Sequence, residues 1–233
     1  GITRDSIQIE WRWKKRTLHL FDTAGLRRKS RVASKLEKAS GDDTWRAVRF
    51  AHVVVLVVDA SMILERQDLN IARLVIEEGR SLLIAVNKWD LVRDKGKAVK
   101  ELERRVKTSL PQVKDIPHVP ISALEKTNLD ILIERSFAVY DVWNQRVPTA
   151  KLNRWFEAIV QRHPPPLVQG RRLKLRYITQ IKTRPPSFVC FCNQPDQVPE
   201  SYKRYVINEL RKQFTLPGVP IRLLMKTSQN PFA

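Results

Sequence analysis

This 233-residue sequence has only two cysteines and seven glycines, and it has no long apolar run. Two cysteines cannot build the disulfide framework of a small secreted domain, so we expect a reducing, cytoplasmic setting. The longest apolar run, residues 53–58, is much shorter than the roughly 20 residues of a membrane-spanning helix. We therefore expect neither a disulfide-rich secreted domain nor a membrane protein.

Positive charge is what the sequence has in excess. It holds 43 Lys and Arg against 24 Asp and Glu, a net charge of +19. Such an excess predicts a polyanionic partner such as RNA, with a membrane surface as the weaker alternative. Residues 148–233 carry 15 basic and 4 acidic residues, or +11, so the C-terminal third is the basic end.

The first two thirds alternate between apolar runs and helical patterns. Continuous apolar runs are typical of parallel strands buried on both faces, and their alternation with helices predicts an α/β domain. The predicted strands are 17–21, 53–58, 82–86 and 119–121, and the predicted helices are 65–78, 97–110 and 129–143.

The order of predicted helices and strands changes after residue 147. Thr149 is a candidate cap for a helix over 149–163, and strands are expected at 173–179 and 188–192. A helix over 200–214, a strand over 219–224 and an irregular tail follow. This predicts a second, α+β domain of order αββαβ over 148–233, after a first domain over 1–147.

Three short motifs follow predicted strands, where open α/β sheets bind their ligands. Asp22, Thr23, Ala24 and Gly25 form a DxxG motif, in which the carboxylate could hold Mg²⁺ and the glycine could approach a phosphate. Alone, this motif also fits an ordinary turn. The probability that the pattern arises by chance becomes small only because two further motifs follow this one in order.

The second motif is Asn87-Lys88-Trp89-Asp90, and the third is Ser122-Ala123. The Asp90 carboxylate can accept two hydrogen bonds from guanine that adenine cannot donate. Asn87 would brace the loop and Lys88 would pack over the base. The order DxxG, NKxD, SA is that of the guanine-nucleotide loops of a P-loop GTPase.

The chain resembles the Der (EngA) GTPases in motifs along its whole length. These are GITRDSI at 1–7, DTAGLRRK at 22–29, NKWD at 87–90, RHPPP at 162–166, GRRLKLRY at 170–177 and TRPP at 183–186. The resemblance implies the second of two G domains, with a P-loop GTPase-type, mostly parallel sheet, followed by a KH-like domain. It also implies a GTP-hydrolysing, ribosome-assembly function with GTP, GDP and Mg²⁺ as cofactors, and Thr3 joins Asp22 as a magnesium ligand.

The sequence departs from that family at several points. The phosphate loop GxxxxGK[ST] and a first G domain are absent, and Gly1 begins inside a motif, so we expect a fragment that is inactive alone. Leu26 stands where many GTPases carry a water-positioning Gln. A potassium ion takes that role in some relatives, so K⁺ joins the candidate cofactors, and no catalytic side chain is assigned.

Cations surround and enter the predicted strand 173–179, and they are the candidate RNA contacts: Arg171, Arg172, Lys174 and Arg176. Strand alternation predicts Lys174 and Arg176 on one face and the apolar residues, Tyr177 included, on the other. Cys190 and Cys192 are expected to pack in the core. No GxxG loop occurs, which argues against clamping of single-stranded RNA in the usual KH manner.

Three functions remain open from the sequence. The first is a GTPase in assembly of the large ribosomal subunit, acting as a monomer with that subunit and its rRNA as partners. The second is a nucleotide-free, RNA- or ribosome-binding fragment. The third is an Era-like GTPase with a true KH domain, which the missing GxxG disfavours.

Overall fold

The structure is a computed structural model that describes residues 8–21, 47–168, 170 and 172–227. Contacts divide the chain into two units, Gly1–Ala51 and His52–Ala233. In the first unit, strands β1 (Gln8–Trp13) and β2 (Arg16–Phe21) form an antiparallel hairpin. The strand expected at 17–21 is present as β2, but its described neighbour is the unpredicted, antiparallel β1.

The second unit begins with a three-stranded parallel sheet. Its order is β3 (Val53–Asp59), β4 (Ser81–Asn87), β5 (His118–Pro120). The central strand β4 is buried on both faces, as a continuous apolar run predicts. Strand β3 departs from this expectation, because Val55 and Val57 are 36% and 45% exposed at the edge of this described sheet.

Three helices connect and flank these strands: α1 (Arg66–Glu77), α2 (Lys95–Ser109) and α3 (Leu129–Trp143). Glu65 and Asp68 form a reciprocal capping box that begins α1. The Asp94 carboxylate begins α2 by accepting the Lys97 amide hydrogen at 2.9 Å. Polar side chains at both N-termini thus satisfy amides that have no partner inside the helix.

The C-terminal part contains two helices and a mixed sheet. The elements follow as α4 (Thr149–Arg162), β6 (Leu175–Lys182), β7 (Ser187–Cys192), α5 (Glu200–Gln213) and β8 (Arg222–Thr227). In the sheet, β7 lies between antiparallel β6 and parallel β8. Cys190 and Cys192 lie in the core of this part, as the sequence predicted, and burial raises the pKa of Cys190 to about 12.

Two strands begin later than the sequence predicts, because side chains occupy the backbone groups concerned. The buried Arg211 guanidinium donates to the carbonyls of Leu216 and Val219, each at 2.8 Å, so this segment is a loop before β8. Just before β6, the Asn193 side chain similarly accepts the Lys174 amide hydrogen and donates to the Arg172 carbonyl. At α4, Pro148 rather than Thr149 is the N-terminal cap residue, and Thr149 is the first helical residue.

Hydrogen bonds cross the domain boundary that the sequence predicts after Val147. The Val147 amide donates to Gln180 Oε1 at 2.7 Å, and the Arg222 guanidinium donates to the Glu77 carbonyl at 3.1 Å. The Gly218 amide donates to the Lys114 carbonyl at 3.0 Å. The boundary at 147/148 stays a prediction, and the residues on its two sides are joined within one compact unit, His52–Ala233.

Within the ranges that the structure describes, no helix is long and apolar enough to cross a membrane.

Candidate functional site

The polar residues of interest lie at one edge of the parallel sheet. Asp59 ends β3 and is paired in register with Asn87, which ends β4. Ser122 and Ala123 come shortly after β5. Because the carboxyl ends of parallel strands share one edge, three successive loops meet there, the position at which open α/β sheets bind ligands.

The loops after β4 and β5 are bonded to each other. Asn87 Oδ1 accepts the backbone amide hydrogen of Ala123 at 3.0 Å. The Trp89 amide donates to the Ile121 carbonyl, also at 3.0 Å. The structure therefore brings together the two motifs that the sequence predicts as the base-binding part of one site, with Asn87 joining them.

The loop after β5 is fixed by its own hydrogen bonds. Ser122 is buried, and its hydroxyl oxygen accepts the Glu125 amide hydrogen at 3.1 Å. The Asn128 side-chain amide donates to the Pro120 carbonyl at 2.9 Å. Ser122 is thus a buried bracing residue, and Ala123 is exposed with its amide bonded to Asn87.

Lys88 adopts a left-handed conformation, with φ of 63°, directly before a short 3₁₀ helix over Trp89–Leu91. Its ammonium group lies 2.6 Å from Asp59 Oδ2. Hydrogen bonds from Lys88, and then from the amide and hydroxyl of Ser61, lower the pKa of Asp59 to about 2. Asp90 lies in the 3₁₀ helix and is exposed, so its carboxylate is on the solvent side of this edge.

Asp59 was not recognised as a site residue from the sequence. A single Asp after an apolar run resembles any strand end, and no motif marks it. The signal that could have found it is its position directly after the apolar run 53–58, equivalent to the position of Asn87 directly after the run 82–86. It is placed to hold Lys88 at the sheet edge.

The other half of the predicted site lies outside the described residues. This applies to Thr3 and to Asp22, Thr23, Ala24 and Gly25. The described loops carry the residues predicted to contact the base, and the residues predicted to contact the phosphates and Mg²⁺ lie outside the described ranges. Among the described residues, no group of three or more His, Cys, Asp or Glu could hold a metal ion.

The predicted RNA-contacting cations lie around the start of β6. Arg172, Lys174 and Arg176 are exposed, and Arg171 is outside the described residues. The Asn193 side chain accepts from the Lys174 amide at 2.9 Å and donates to the Arg172 carbonyl at 3.3 Å. The backbone that carries these cations is thereby bonded to the end of β7.

The prediction that Tyr177 lies on the apolar face of β6 is wrong. A register shift between Leu175 and Tyr177 inserts Arg176 as an extra residue, a β-bulge. After the bulge the alternation is offset, so Leu175 packs against the core while Tyr177 is 43% exposed. Tyr177 therefore lies on the solvent side instead of joining Leu175.

Two family models match the chain. Residues 1–161 match the elongation factor Tu GTP-binding domain, and residues 146–226 match the KH-domain-like C-terminal domain of EngA bacterial GTPase enzymes. The first match covers more than half of the chain. The protein class is therefore an α/β GTP-binding domain of the elongation factor Tu type, followed by a KH-like domain.

Curated relatives narrow this class. The chain is 53% identical over 233 residues to GTPase Der of Brucella anthropi and 54% identical over 233 residues to GTPase Der of Mesorhizobium japonicum. It covers 48% and 49% of those two proteins, so it spans about half the length of the relatives it matches. The chain belongs to the Der (EngA) family of GTPases, which confirms the resemblance seen in its motifs.

Solved structures of similar shape are more distant. Era in complex with MgGDPNP and nucleotides 1506–1542 of 16S ribosomal RNA has a TM-score of 0.47 and 16% identity, over 99% of this chain and 83% of Era. Elongation factor SelB of Methanococcus maripaludis with the GTP analogue GppNHp has a TM-score of 0.44 and 17% identity, over 59% of this chain and 29% of SelB.

Proposed function

We propose that this chain binds guanine nucleotides at the edge formed by the loops after β4 and β5, and that the protein containing it hydrolyses GTP. The observation that carries the proposal is the hydrogen bond from the Ala123 amide to Asn87 Oδ1. It joins an NKxD loop and an SA loop into one rigid surface beside the exposed Asp90.

Each residue has a defined role in this proposal. Asp90 accepts two hydrogen bonds from the guanine base, which gives selectivity over adenine. Lys88 lies along the base, positioned by Asp59, and Asn87 keeps the two loops together. Ala123 forms the opposite wall, and the buried Ser122 braces the loop that carries it. GTP and GDP are the ligands that fit this donor and acceptor set.

The phosphate end of the nucleotide is assigned through the family motifs. Thr3 and Asp22 would hold Mg²⁺, while Thr23, Ala24 and Gly25 would lie beside the terminal phosphate. Mg²⁺ would supply charge neutralisation on the phosphate oxygens. K⁺ stays a prediction tied to Leu26, which cannot orient water.

Replacing Asp90 tests the base assignment. In a protein that carries these 233 residues together with a phosphate-binding loop, Asp90→Asn should weaken GTP binding roughly 5- to 150-fold, the range expected for a bidentate base contact. The same variant should gain affinity for xanthosine triphosphate. The matched control is Asp94→Asn, which keeps an N-cap residue on α2. Unchanged GTP affinity in Asp90→Asn would contradict the assignment.

We further propose that the protein acts in assembly of the large ribosomal subunit, as a cytoplasmic monomer that contacts rRNA. The support is chemical: residues 148–233 carry a charge of +11, and Arg172, Lys174 and Arg176 around the start of β6 are exposed. The similarity to GTPase Der and the match to the KH-domain-like domain of EngA enzymes agree with this role. The phosphate contacts assigned to rRNA are Arg171, Arg172, Lys174 and Arg176.

Salt dependence tests these contacts. Each neutralised phosphate should contribute about 0.7–0.9 to the slope of log K against log salt. Replacing the four cations by Gln should therefore weaken co-sedimentation with purified large subunits and flatten that slope. The control removes four exposed lysines from α2: Lys95, Lys97, Lys100 and Lys107. Equal losses in both variants would show a non-specific charge effect and contradict the proposal.

A nucleotide-free RNA-binding module is the second candidate. It is favoured by the exposed cations, which need no nucleotide to act. Subunit binding that ignores GTP and GDP, in a protein that binds neither, would favour this candidate over the GTPase.

A further inference from the structure

The mixed sheet of the C-terminal part has one face on the core and one face away from it. Ile178, Phe188 and Cys190 cover the core. Alternation places Tyr177 and Phe191 on the opposite face, where the two residues are directly paired across β6 and β7. Phe191 is paired in turn with Lys226 on β8. One cross-strand row therefore reads Tyr, Phe, Lys.

The two aromatic rings of this row are stacked. Their centroids are 4.4 Å apart and their planes differ by 17°. Even in this stack, Tyr177 keeps 43% of its surface exposed. The β-bulge at Arg176 creates this arrangement, because it turns both Arg176 and Tyr177 towards solvent at consecutive positions.

Two basic residues are adjacent to the stacked pair, since Arg176 precedes Tyr177 and Lys226 is paired with Phe191. Strands β6, β7 and β8 contain four basic residues and no acidic residue: Arg176, Lys182, Arg222 and Lys226. Lys174 lies just before β6, on a backbone that is bonded to Asn193 at the end of β7. An aromatic pair, with Tyr177 exposed and Phe191 partly buried, therefore lies on a sheet whose charged residues are all basic.

This combination fits an unpaired nucleotide. Bases of any sequence stack on exposed aromatic rings, while nearby Lys and Arg neutralise the phosphates. An apolar protein surface would also cover a Tyr ring, and Leu224 on the same face is 48% exposed. The cationic strands favour a polyanion over such a protein partner.

We propose that Tyr177 and Phe191 form a stacking platform for an unpaired base of single-stranded RNA, with Arg176 and Lys226 on its phosphates. This extends the rRNA contact proposed above and rests on it. The platform differs from the clamp of ordinary KH modules, because it uses the outer face of the sheet and needs no GxxG loop.

Binding of a fluorescein-labelled twelve-nucleotide oligouridine to the 233-residue chain tests the platform by anisotropy across a salt series. Tyr177→Leu should weaken binding roughly 5- to 150-fold, the range for one base stacked on an aromatic ring. The salt slope should stay unchanged, because no cation is removed. Tyr177→Phe keeps the ring and should bind within about twofold of wild type. Phe191→Leu, at the second ring of the platform, should weaken oligouridine binding in the same way. Melting curves check that each variant is folded.

Several outcomes would overturn the proposal. Wild-type affinity in both Tyr177→Leu and Phe191→Leu would show that no base stacks there. An equal loss in Leu224→Ala would show a general apolar surface, as for a protein partner. Absence of oligouridine binding by the wild-type chain would also overturn the platform. The proposed contact with large subunits would still stand or fall on its own co-sedimentation test.

Discussion

Gly218 lies where the two parts of the 52–233 unit meet, and adding a single methyl group there should push them apart. Its φ is +67°, and a Cβ atom there would lie 2.2 Å from Pro117 Cδ and 3.1 Å from the Asp115 carbonyl oxygen. Pro117 precedes β5, whereas Gly218 precedes β8, so the clash would fall between the GTPase part and the KH-like part. The Gly218 amide also donates to the Lys114 carbonyl at 3.0 Å, which holds the two segments at this distance.

Gly218→Ala should therefore lose stability for two reasons. The left-handed backbone costs an alanine about 1–2 kcal/mol, and overpacking against Pro117 costs about 1–3 kcal/mol more. The matched control is Gly170→Ala, because Gly170 has nearly the same φ of +73° and no atom of the described residues lies within 4 Å of a Cβ added there. It should show the backbone cost alone.

Urea unfolding followed by tryptophan fluorescence measures both variants. The free energy of unfolding should be lower in Gly218→Ala than in Gly170→Ala by about 1–3 kcal/mol, which corresponds to a melting temperature about 2–12 °C lower in a chain of this size. Equal stability of the two variants would refute the inferred close packing of the two parts.

Three further predictions concern single side chains. Asp59→Asn should reduce GDP affinity several-fold by releasing Lys88. Since the folded pKa of Asp59 is depressed, its stabilising effect should be constant at neutral pH and disappear as pH falls towards about 2, which melting curves of wild type and variant would show. Trp143→Phe should destabilise the chain by about 1–3 kcal/mol in urea titrations, because the Gly79 carbonyl loses its donor. Cys190 should resist alkylation at pH 8 until the chain is unfolded, because burial raises its pKa, and mass spectrometry of labelled peptides would detect earlier reaction.

The parallel sheet could be predicted because its signal is local. Apolar runs at 53–58, 82–86 and 119–121 gave β3, β4 and β5 to within one residue at each end. The exposed Val55 and Val57 could not be predicted, since an identical apolar run serves a central or an edge strand. Strand β1 was missed although Ile9, Trp11 and Trp13 alternate with polar residues.

Errors in the C-terminal part arose from hydrogen bonds between side chains and the backbone. The Arg211 guanidinium and the Asn193 side chain occupy backbone groups that a strand would otherwise use. Their effect depends on how the chain folds back at each strand start, and no short pattern encodes it. The bulge at Arg176 reversed the facing of Tyr177 for the same reason, because it is defined only by the register with β7.

The half of the site that we propose to bind the base was accessible to sequence reasoning, and Asp59 was not. Asn87 and Asp90 belong to a motif with a fixed spacing after a strand, so their type and order identify them. The ion pair between Lys88 and Asp59 depends on the register that sets Asp59 beside Asn87. Only the folded sheet brings these charges together.

Hydrolysis of GTP measured beside ATP tests the assignment of a guanine-specific GTPase most directly. The protein should carry these 233 residues together with a phosphate-binding loop, and phosphate release should be followed with Mg²⁺ and K⁺ present. We expect GTP to be turned over while ATP is not, because Asp90 can pair with guanine and not with adenine. Equal turnover of the two nucleotides, or turnover of ATP alone, would contradict the assignment.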